Sequence, residues 1–580
     1  MRTSTPPSTA SSSASAAPSS ASTSSLPFNT DLREDWAKGK ITSEQVQRYA
    51  LGALRQGAEG LDPFARAGAS GQHPQNIFRA LKHVFGMPRG APDMDWIELP
   101  MVVGDRVVQV AHPFLLPHRF FAAFHDARAD AFATAISGPD GACRQFWDSI
   151  STSAFVTSHP NLPRSSWSRI VPLGVHADAG AFSHHDSIYT ISWNSLMGEG
   201  TTIRKRFLFT VLRKSGMHET TLEAALSIMA WSMNALLTGK EPTTDWLGRQ
   251  VVGGGGDLAS GWKAALCQVR GDWAFYKECF QFPQWNEAIR MCWKCRASST
   301  LPDLLYTDCS PTAGWRATHL TNTDYRRQLR REHLAVPALL GRVIGMRLEC
   351  IMVDVLHTVD QGVASHVIAN IFWIVVIIRG ALGGTNIPDK IVRLNNAVKK
   401  WYSDNRITSK LQGKLTEGRL RPDGKYPKLK AKAACTRHLA AFALHLITLY
   451  HDGSTDDDLA KAVCTLLVRF YEILDSQSQF LDPFVRDEIP VLGQKMAQMY
   501  ATLARRAFDR NVRLWKMHPK LHMWEHLTEE QAIEFGNPRY WWTYADEDLV
   551  GLMTEVAVSV HPKTLACNVL YKWLLLHFDE

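Results

Sequence analysis

The chain has 580 residues, of which 45% are hydrophobic and 21% are charged, and its formal net charge is +8. A chain of this length exceeds one compact core, so we expect two to four domains in an otherwise ordinary globular protein. The ten cysteines are scattered and follow no secretory segment, which argues against a disulfide framework and for a reducing compartment. The mild positive charge permits nucleic-acid binding without indicating it, because binding depends on how the charges cluster.

The first part of the chain divides into a low-complexity tail and a helical region. Residues 1–30 are almost entirely Ser, Ala, Thr and Pro, which predicts disorder because such a segment has too little apolar surface to bury. Residues 31–165 are predicted to form a mostly helical domain of unknown role. Thr42 opens one of its helices, in which Val46 and Ala50 lie on a single apolar stripe.

From residue 166 to residue 315 the pattern changes to strands. Three apolar or alternating runs are followed by a helix that ends at Gly239 and then by a fourth apolar run. The predicted strands are Arg169–Asp178, Ser187–Trp193, Arg206–Leu212 and Lys263–Val269, and the predicted helix is Thr220–Leu237. This order matches the first half of an RNase H-like fold, in which acidic residues lie at the ends of the first and fourth strands. We therefore interpret 166–315 as the first part of such a core.

Residues 316–510 are helical almost throughout and predict an all-α insertion, after which residues 511–580 return to the α/β core. The longest apolar run lies in this insertion, from Val367 to Ile378, and is interrupted by Asn370. It falls short of the roughly 20 residues that a helix needs to span a bilayer. The run therefore predicts a buried helix, and we expect no membrane segment.

Three acidic residues stand where phosphodiester chemistry would use them. Asp178 ends the first predicted strand, Asp272 follows the fourth, and Glu547 lies in the first turn of a late helix that Thr543 is predicted to cap. Two divalent cations roughly 3.5–4 Å apart can activate a nucleophile and neutralise charge on a phosphate. A few carboxylates hold such ions and leave positions open for water and phosphate oxygens. The alternative is that the acids solvate the surface or, like Glu547, favour a helix dipole.

Two short motifs form half-sites for zinc. Thiolates two residues apart and histidines at i and i+4 suit a tetrahedral Zn²⁺ ion when the fold brings them together. The candidate ligands are Cys292, Cys295, His522 and His526. His518 and His357 compete for the histidine positions, and a lone Cys-x-x-Cys is also common without a metal. A zinc ion here would be structural, joining the end of the insertion to the loop after Asp272.

Other polar clusters lie in the helical insertion. Asp354 and His357, at i and i+3, would share a helix face, either as accessory residues of a site or as a hydrogen bond in a core. Two groups of cations could follow DNA phosphates in a sequence-independent manner or simply solvate a surface. The candidates for DNA binding are Arg326, Arg327, Arg330, Arg331, Lys428, Lys430 and Lys432.

In their order, these motifs resemble the DDE transposases of the CACTA (En/Spm) group, whose relatives include the Transib-like core of the V(D)J recombinase. The matching positions are Asp272, Cys292-x-x-Cys295, Asp354-x-x-His357, His522-x-x-x-His526 and Glu547. The sharpest match surrounds Glu547, since Ala545-Asp-Glu-Asp-Leu-Val-Gly551 resembles the family's Pro-Phe-Glu-Arg-Phe-Met-Gly. Two elements depart from the family. Asp178 begins Asp-Ala-Gly-Ala-Phe instead of Asp-Gly-Phe, and Trp273 stands where a proline often follows the second aspartate.

The resemblance covers about residues 165–580. It implies an RNase H-like α/β core with a mixed five-stranded sheet, interrupted by a large all-α insertion, in a helix-dominated protein. It implies DNA strand cleavage and transfer by Asp178, Asp272 and Glu547 with two Mg²⁺ or Mn²⁺ ions, and a structural Zn²⁺ ion. It also implies DNA as the partner, a homodimer or higher oligomer, and a nuclear location, in an active, domesticated or decaying transposable element.

Two other interpretations stay open. The first is a non-catalytic nucleic-acid-binding or scaffold protein that retains the fold; it allows the acids to converge but predicts no metal-dependent cleavage. The second is an unrelated helical interaction protein whose motifs coincide by chance, in which the acids would lie far apart.

Overall fold

The computed structural model of the protein describes residues 26–68 and 74–578. The chain divides into two compact units, 1–86 and 87–580. Most of the tail that is predicted to be disordered lies outside the described residues, but its last residues, from Leu26 onward, are helical.

The described part of the first unit is helical, as predicted. Its helices are α1 (Leu26–Ala37), α2 (Ser43–Arg55), α3 (Asp62–Ala65) and α4 (Pro74–Phe85). Thr42 begins α2 with a capping box, in which its hydroxyl accepts from the Gln45 amide at 3.2 Å and its own amide donates to Gln45 Oε1 at 2.7 Å. Val46 and Ala50 are buried, which confirms the predicted apolar stripe.

The second unit begins with a β-hairpin that the prediction of a mostly helical 31–165 did not include. Its strands β1 (Asp95–Val103) and β2 (Arg106–Phe114) pair antiparallel, and the helices α5 (Pro117–Ala127), α6 (Ala129–Phe132), α7 (Ala142–Ser149) and α8 (Ala154–Ser158) follow. Phe120 of α5 packs on Trp193 and Phe207, and Trp147 Nε1 of α7 donates to Ile170 O at 2.7 Å. These contacts attach the segment 87–165 to the strands that follow it.

All four predicted strands are present and form one mixed sheet. The elements of this region are β3 (Ile170–Ala181), β4 (Ser187–Ser195), α9 (Thr202–Lys205), β5 (Phe207–Arg213), α10 (Thr221–Thr238), β6 (Lys263–Arg270) and α11 (Trp273–Phe280). Across the sheet the order is β5-β4-β3-β6, with β3 antiparallel to β4 and parallel to β6. As predicted, α10 ends at Gly239, whose φ of 69° is the left-handed conformation that commonly ends helices. The first and fourth strands are therefore neighbours that end at the same edge.

The expected fifth strand is reduced to a single parallel bridge. Ile351 pairs with Val269 of β6, and the Met352 amide donates to Val269 O at 2.9 Å. Successive amides of an extended chain point to opposite sides, and that of Val353 donates to the side-chain Oε1 of Gln531 at 2.6 Å. The chain becomes helical from Val355, so the ladder ends after one bridge, and the sheet has four strands instead of the expected five.

The segment 316–510 is helical, as predicted. Its helices are α12 (Asn322–Arg331), α13 (Ala338–Arg342), α14 (Ser365–Phe372), α15 (Ile387–Asp404), α16 (Glu417–Leu420), α17 (Ala433–Leu449), α18 (Thr455–Ser476) and α19 (Pro483–Asp509). π-Helical turns flank α14 on both sides, so one helical run extends from Leu356 to Ile378. By length and composition this run could cross a membrane, but 83% of its apolar window is buried within the protein, as in a core helix.

Four helices complete the chain, and two of them, α22 and α23, pack on the sheet. They are α20 (Pro519–His526), α21 (Ala532–Phe535), α22 (Tyr544–Val558) and α23 (Leu565–Phe578). Helix α22 crosses β3 at Gly180, where an added Cβ atom would lie 2.3 Å from Thr554 Oγ1 and 3.1 Å from Val550 Cγ1. The missing side chain of Gly180 therefore sets how closely helix and strand approach.

We expect Gly180→Ala to lower the free energy of unfolding by about 1–3 kcal/mol, because the new methyl group overpacks the contact between α22 and β3. The matched control is Gly551→Ala on the same helix, where an added Cβ atom has no neighbour within 4 Å. This control should be neutral or stabilising by up to about 1 kcal/mol, since alanine is the better helix former. Urea unfolding measures both variants. Equal stability of Gly180→Ala and wild type would show that the helix does not pack this closely.

Candidate functional site

The three candidate catalytic acids come from three separate elements. Asp178 lies in β3, Asp272 follows β6, and Glu547 lies in the first turn of α22. The parallel register pairs His176 with Arg270, so Asp178 and Asp272 each lie two residues further along neighbouring strands. The fold therefore places both aspartates at one edge of the sheet.

Glu547 faces this edge from the helix. It lies one turn before Val550, which contacts β3 at Gly180, and so it is on the strand-facing side of α22. Burial, and then the negative charge of Asp178, raise the pKa of Glu547 to about 7. Burial also raises the pKa of Asp178, and the charge of Asp272 adds to that effect. The acids are thus close enough for the charge of one to disfavour the charge of the next.

Hydrogen bonds satisfy only part of this acidic cluster. One oxygen of Asp272 accepts from the Phe275 amide at 2.7 Å and caps α11, and one oxygen of Asp178 accepts from the Ala179 amide at 2.7 Å. Within the described residues, Glu547 Oε1 is buried and has no hydrogen-bond partner. Such an oxygen is costly to bury unless a proton or a cation satisfies it.

Asp354 and His357 pair with each other at the predicted spacing and join the cluster. His357 Nδ1 lies 2.8 Å from Asp354 Oδ2, and its Nε2 lies 3.7 Å from Glu547 Oε1. Burial acts to lower the pKa of His357, but the hydrogen bond and charge of Asp354, with the charge of Glu547, raise it above its usual value. These contacts with Asp354 and Glu547 favour the charged form of His357.

The prediction that Thr543 caps α22 is wrong. Its side chain makes no capping hydrogen bond. Instead, its Oγ1 donates to Asp354 Oδ2 and its amide donates to Asp354 Oδ1, both at 2.9 Å. Burial acts to raise the pKa of Asp354, yet the hydrogen bonds from His357 and Thr543 hold it below its usual value. Asp354 thus ties the start of α22 to His357.

A buried ion network that the sequence did not reveal holds α22 against the sheet. Asp546 Oδ1 accepts from Arg206 Nε at 2.7 Å and lies 3.3 Å from Arg270 Nη2. Burial opposes its charge, but the two arginines lower the pKa of Asp546 to about 2. Gly174 leaves room for Arg270, since a Cβ atom there would lie 3.2 Å from the guanidinium carbon. The available signals were Arg270, a charge inside an apolar strand, and the position of Asp546 beside Glu547.

The acidic cluster does not close into a compact metal cage. Among residues 26–68 and 74–578, ligand atoms gather within 4.8 Å of one another in two groups, and neither contains Asp178, Asp272 or Glu547. One group is Cys292, Cys295, His522 and His526, and the other is His319, His526 and Glu530. The first group is fully buried and is the stronger candidate for a metal centre.

The four predicted zinc ligands meet in this buried Cys/His cluster. His522 Nε2 lies 3.3 Å from Cys295 Sγ and 3.2 Å from His526 Nε2, which lies 3.5 Å from Cys292 Sγ. A tetrahedral ion with bonds of about 2.0–2.3 Å places its ligand atoms about 3.3–3.8 Å apart. The observed spacing agrees with that geometry, so the cluster could hold a metal such as zinc.

The surroundings of the Cys/His cluster also suit a metal. The amides two residues after each cysteine donate to its sulfur at 3.3 and 3.4 Å, which favours the thiolate form. His526 Nδ1 contacts Glu530 Oε1, so the ring presents Nε2 to the cysteines. The competing histidines lie elsewhere: His357 pairs with the acids, and His518 stacks on His366 with ring centroids 4.3 Å apart.

The predicted DNA-binding cations are dispersed. Lys428 lines a cavity of about 940 Å³ that Asp272 also lines. Lys430, Lys432 and the four arginines of α12 are exposed on the surface. Lys428 is thus the predicted cation that shares a cavity with a candidate catalytic acid. Two further lysines of that cavity, Lys516 and Lys520, were missed, although they form a short basic run in the sequence.

No protein-family model matches this chain, and no curated protein matches it. What the site does is therefore inferred from its geometry, which combines an acidic cluster that includes His357, a separate Cys/His cluster, and a cavity lined by lysine and aromatic side chains.

Proposed function

We propose that the protein is a DDE-type polynucleotidyl transferase with an RNase H-like core, similar to the CACTA (En/Spm) transposases, that cleaves and transfers DNA strands. The observation that carries the proposal is the convergence of Asp178, Asp272 and Glu547, from distant parts of the chain, at one edge of a mixed sheet. In an unrelated protein with coincidental motifs, these three acids would be scattered.

The acidic cluster suits divalent cations. Burial and mutual repulsion raise the pKa of Asp178 and of Glu547, so the surrounding protein does not fully stabilise their charge. In the described part of the chain, Glu547 Oε1 has no hydrogen-bond partner, and a bound cation would satisfy it. Asp178, Asp272 and Glu547 would hold the ions. Two Mg²⁺ or Mn²⁺ ions bound there would supply the charge that activates an attacking hydroxyl and stabilises the leaving oxygen.

The remaining residues of the site would keep the acids in place. The ion network of Asp546 and the hydrogen bonds of Asp354 position the first turn of α22, which carries Glu547. The cap on α11 positions Asp272 at the end of β6. His357 would balance part of the charge of Glu547 and would offer a cation to a bound phosphate.

The Cys/His cluster would hold a structural Zn²⁺ ion. It joins the loop after α11 to α20, and these two segments flank the helical insertion. An ion with four protein ligands leaves no open position for chemistry, so its role would be to fix the insertion against the core. From the resemblance, the protein would act on DNA in the nucleus as a homodimer or higher oligomer.

The test of the proposed function is metal-dependent cleavage of DNA. Full-length protein is incubated with supercoiled plasmid in the presence of Mg²⁺, of Mn²⁺ or of neither ion, and we expect nicked or linear product only with an ion. If the protein binds DNA but cuts it with neither ion, it is a non-catalytic nucleic-acid-binding or scaffold protein that retains the fold.

The raised pKa of Glu547 predicts that the free energy of unfolding falls with increasing pH in buffer free of added divalent cations. Because the pKa is about 7 in the folded protein and about 4.3 in an unfolded chain, stability is lost as the pH rises through that interval. The side chain of Glu547 is 31% exposed, and the solvent reduces this loss of stability. We expect Glu547→Gln to be more stable than wild type by about 1–2 kcal/mol at pH 8, with no difference below pH 4.

Urea unfolding as a function of pH measures this difference. The matched control is Glu555→Gln, an exposed position on the same helix, which should not change the pH dependence. Added Mn²⁺ at pH 8 should stabilise the wild type and not Glu547→Gln. A pH-independent difference between Glu547→Gln and wild type would contradict the role assigned to the buried carboxylate.

A further inference from the structure

The cavity beside Asp272 contains a second polar region that the acidic cluster does not use. Besides Asp272, Asp354 and His357, its wall includes Lys428, Lys516, Lys520, His366 and His518. These residues come from the helical insertion and from the segment that leads into α20. The cavity therefore places a group of cations in the same space as two carboxylates of the candidate active site.

The three lysines surround a pair of stacked histidines. The rings of His366 and His518 are stacked with centroids 4.3 Å apart. The three lysines line the same cavity as the two histidines, and after burial their charges contribute to lowering the pKa of both rings. Both imidazoles are consequently neutral. His366 Nδ1 donates to Pro427 O at 3.1 Å, so His518 is the ring whose Nε2 is left for a ligand.

This cationic group makes no direct ion pair, although the charges of Asp354 and Asp272 act on Lys520 from across the cavity. Across residues 26–68 and 74–578, no salt bridge joins Lys428, Lys516 or Lys520 to an acidic side chain. In the same described part, His518 Nε2 is buried and has no hydrogen-bond partner. Three like charges gathered near an unpaired ring nitrogen repel one another, and an anion bound among them relieves that repulsion.

The fold makes room for this group. A Cβ atom on Gly362, in the π-helical turns before α14, would lie 2.7 Å from Lys520 Cδ and 3.0 Å from Lys520 Cβ. The absence of a side chain at Gly362 allows the lysine stem to lie against the helix and to reach the cavity. The position of Lys520 is thus built into the packing of α20 on the helical run.

We propose that Lys428, Lys516, Lys520 and His518 form a phosphate-binding subsite, and that the phosphate belongs to a nucleotide of a single strand passing through this cavity. Phosphate oxygens accept hydrogen bonds from lysine ammonium groups and from an imidazole N–H. The nucleotide identity rests on the proposed function, whereas the binding of phosphate does not.

Aromatic side chains in the same cavity favour a nucleotide over a simple phosphate ion. Trp285 lines the cavity and is 56% exposed, so much of its ring surface is accessible to a ligand. Trp273 and Tyr306 line the wall as well. Bases stack on aromatic faces without regard to sequence, and a cationic groove combined with such faces is typical of single-strand binding.

The test compares two probes on full-length protein without added divalent cations. Inorganic pyrophosphate binding is measured by calorimetry, and binding of a short fluorescein-labelled single-stranded oligonucleotide is measured by fluorescence anisotropy over a range of salt concentrations. We expect Lys520→Gln and Lys428→Gln each to weaken the binding of both probes roughly fivefold to tenfold. Each should also reduce the slope of log affinity against log salt concentration for the oligonucleotide by about 1. The charge-matched control is Lys399→Gln, an exposed lysine of α15 that does not line the cavity.

Trp285→Ala separates the two possible sources of phosphate. If the phosphate belongs to a strand nucleotide, this variant weakens binding of the oligonucleotide about tenfold and leaves binding of pyrophosphate unchanged. If pyrophosphate binds through the lysines but does not compete with the oligonucleotide, the strand assignment is overturned, and the subsite serves a small phosphate compound. If neither lysine variant differs from Lys399→Gln for either probe, the subsite itself is overturned. In that case cleavage of plasmid DNA with Mn²⁺ would still support the proposed function.

Discussion

Asp272→Asn and Glu547→Gln are each expected to reduce metal-dependent DNA cleavage by about 10³-fold or more, because each removes one of the charges that would hold the two ions. The choice of asparagine at position 272 matters. The side chain of Asp272 also caps α11 by accepting from the Phe275 amide, and asparagine caps as well as aspartate does. A loss of cleavage in Asp272→Asn therefore reports on the charge and not on the start of the helix.

The matched control for both amide variants is Asp548→Asn, an exposed acid one residue after Glu547. It should cleave at the wild-type rate. Oligonucleotide binding without divalent ions should be preserved in all three variants, since the acids repel phosphates. Cleavage at the wild-type rate in Asp272→Asn or Glu547→Gln would show that these acids are not catalytic and that any cleavage observed has another origin.

Cys295→Ser and His526→Gln are each expected to remove one equivalent of bound zinc and to lower the free energy of unfolding by at least about 3 kcal/mol, because a metal with four buried protein ligands contributes its binding energy to folding. Zinc is measured by elemental analysis of the purified protein, and stability by urea unfolding. The residues are well placed for so large an effect, since all four ligands are buried and join segments distant in the chain.

The control for the zinc variants is Cys567→Ser, a cysteine of α23 outside the cluster that is only half-buried. It should retain the zinc equivalent. Chelation of the wild-type protein should reproduce the loss of stability seen in Cys295→Ser, and chelation of Cys295→Ser should have no further effect. Wild-type protein that contains no zinc, and that is as stable as Cys295→Ser, would contradict a metal at this cluster.

Local patterns predicted the four strands of the mixed sheet and the helix between its third and fourth strands. The four apolar runs became β3 to β6, and Gly239 ended α10, because strand and helix formation depend on the periodicity of neighbouring side chains. The pairing of Asp354 with His357 followed in the same way from their spacing on one turn. Thr543 was the exception. Its hydroxyl turned from its own helix to Asp354, a partner from a distant segment that no local rule identifies.

Contacts between distant segments were outside the reach of those patterns. The single bridge between Ile351 and β6 and the buried pair of Arg270 with Asp546 both join segments that are far apart in sequence. The same holds for the lysine group of the cavity, of which only Lys428 stood out beforehand.

The sequence by itself determined which residues were chemically suited to a role: three acids at element ends, and cysteines and histidines at metal-ligand spacing. Only the tertiary structure decided which of them meet. Side-chain periodicity acts within a few residues, whereas the parallel pairing of β3 with β6 and the close approach of α22 at Gly180 depend on packing across the whole unit. That packing brings the Cys/His ligands together within 4.8 Å, and it brings the acids close enough to repel one another without closing them into a cage.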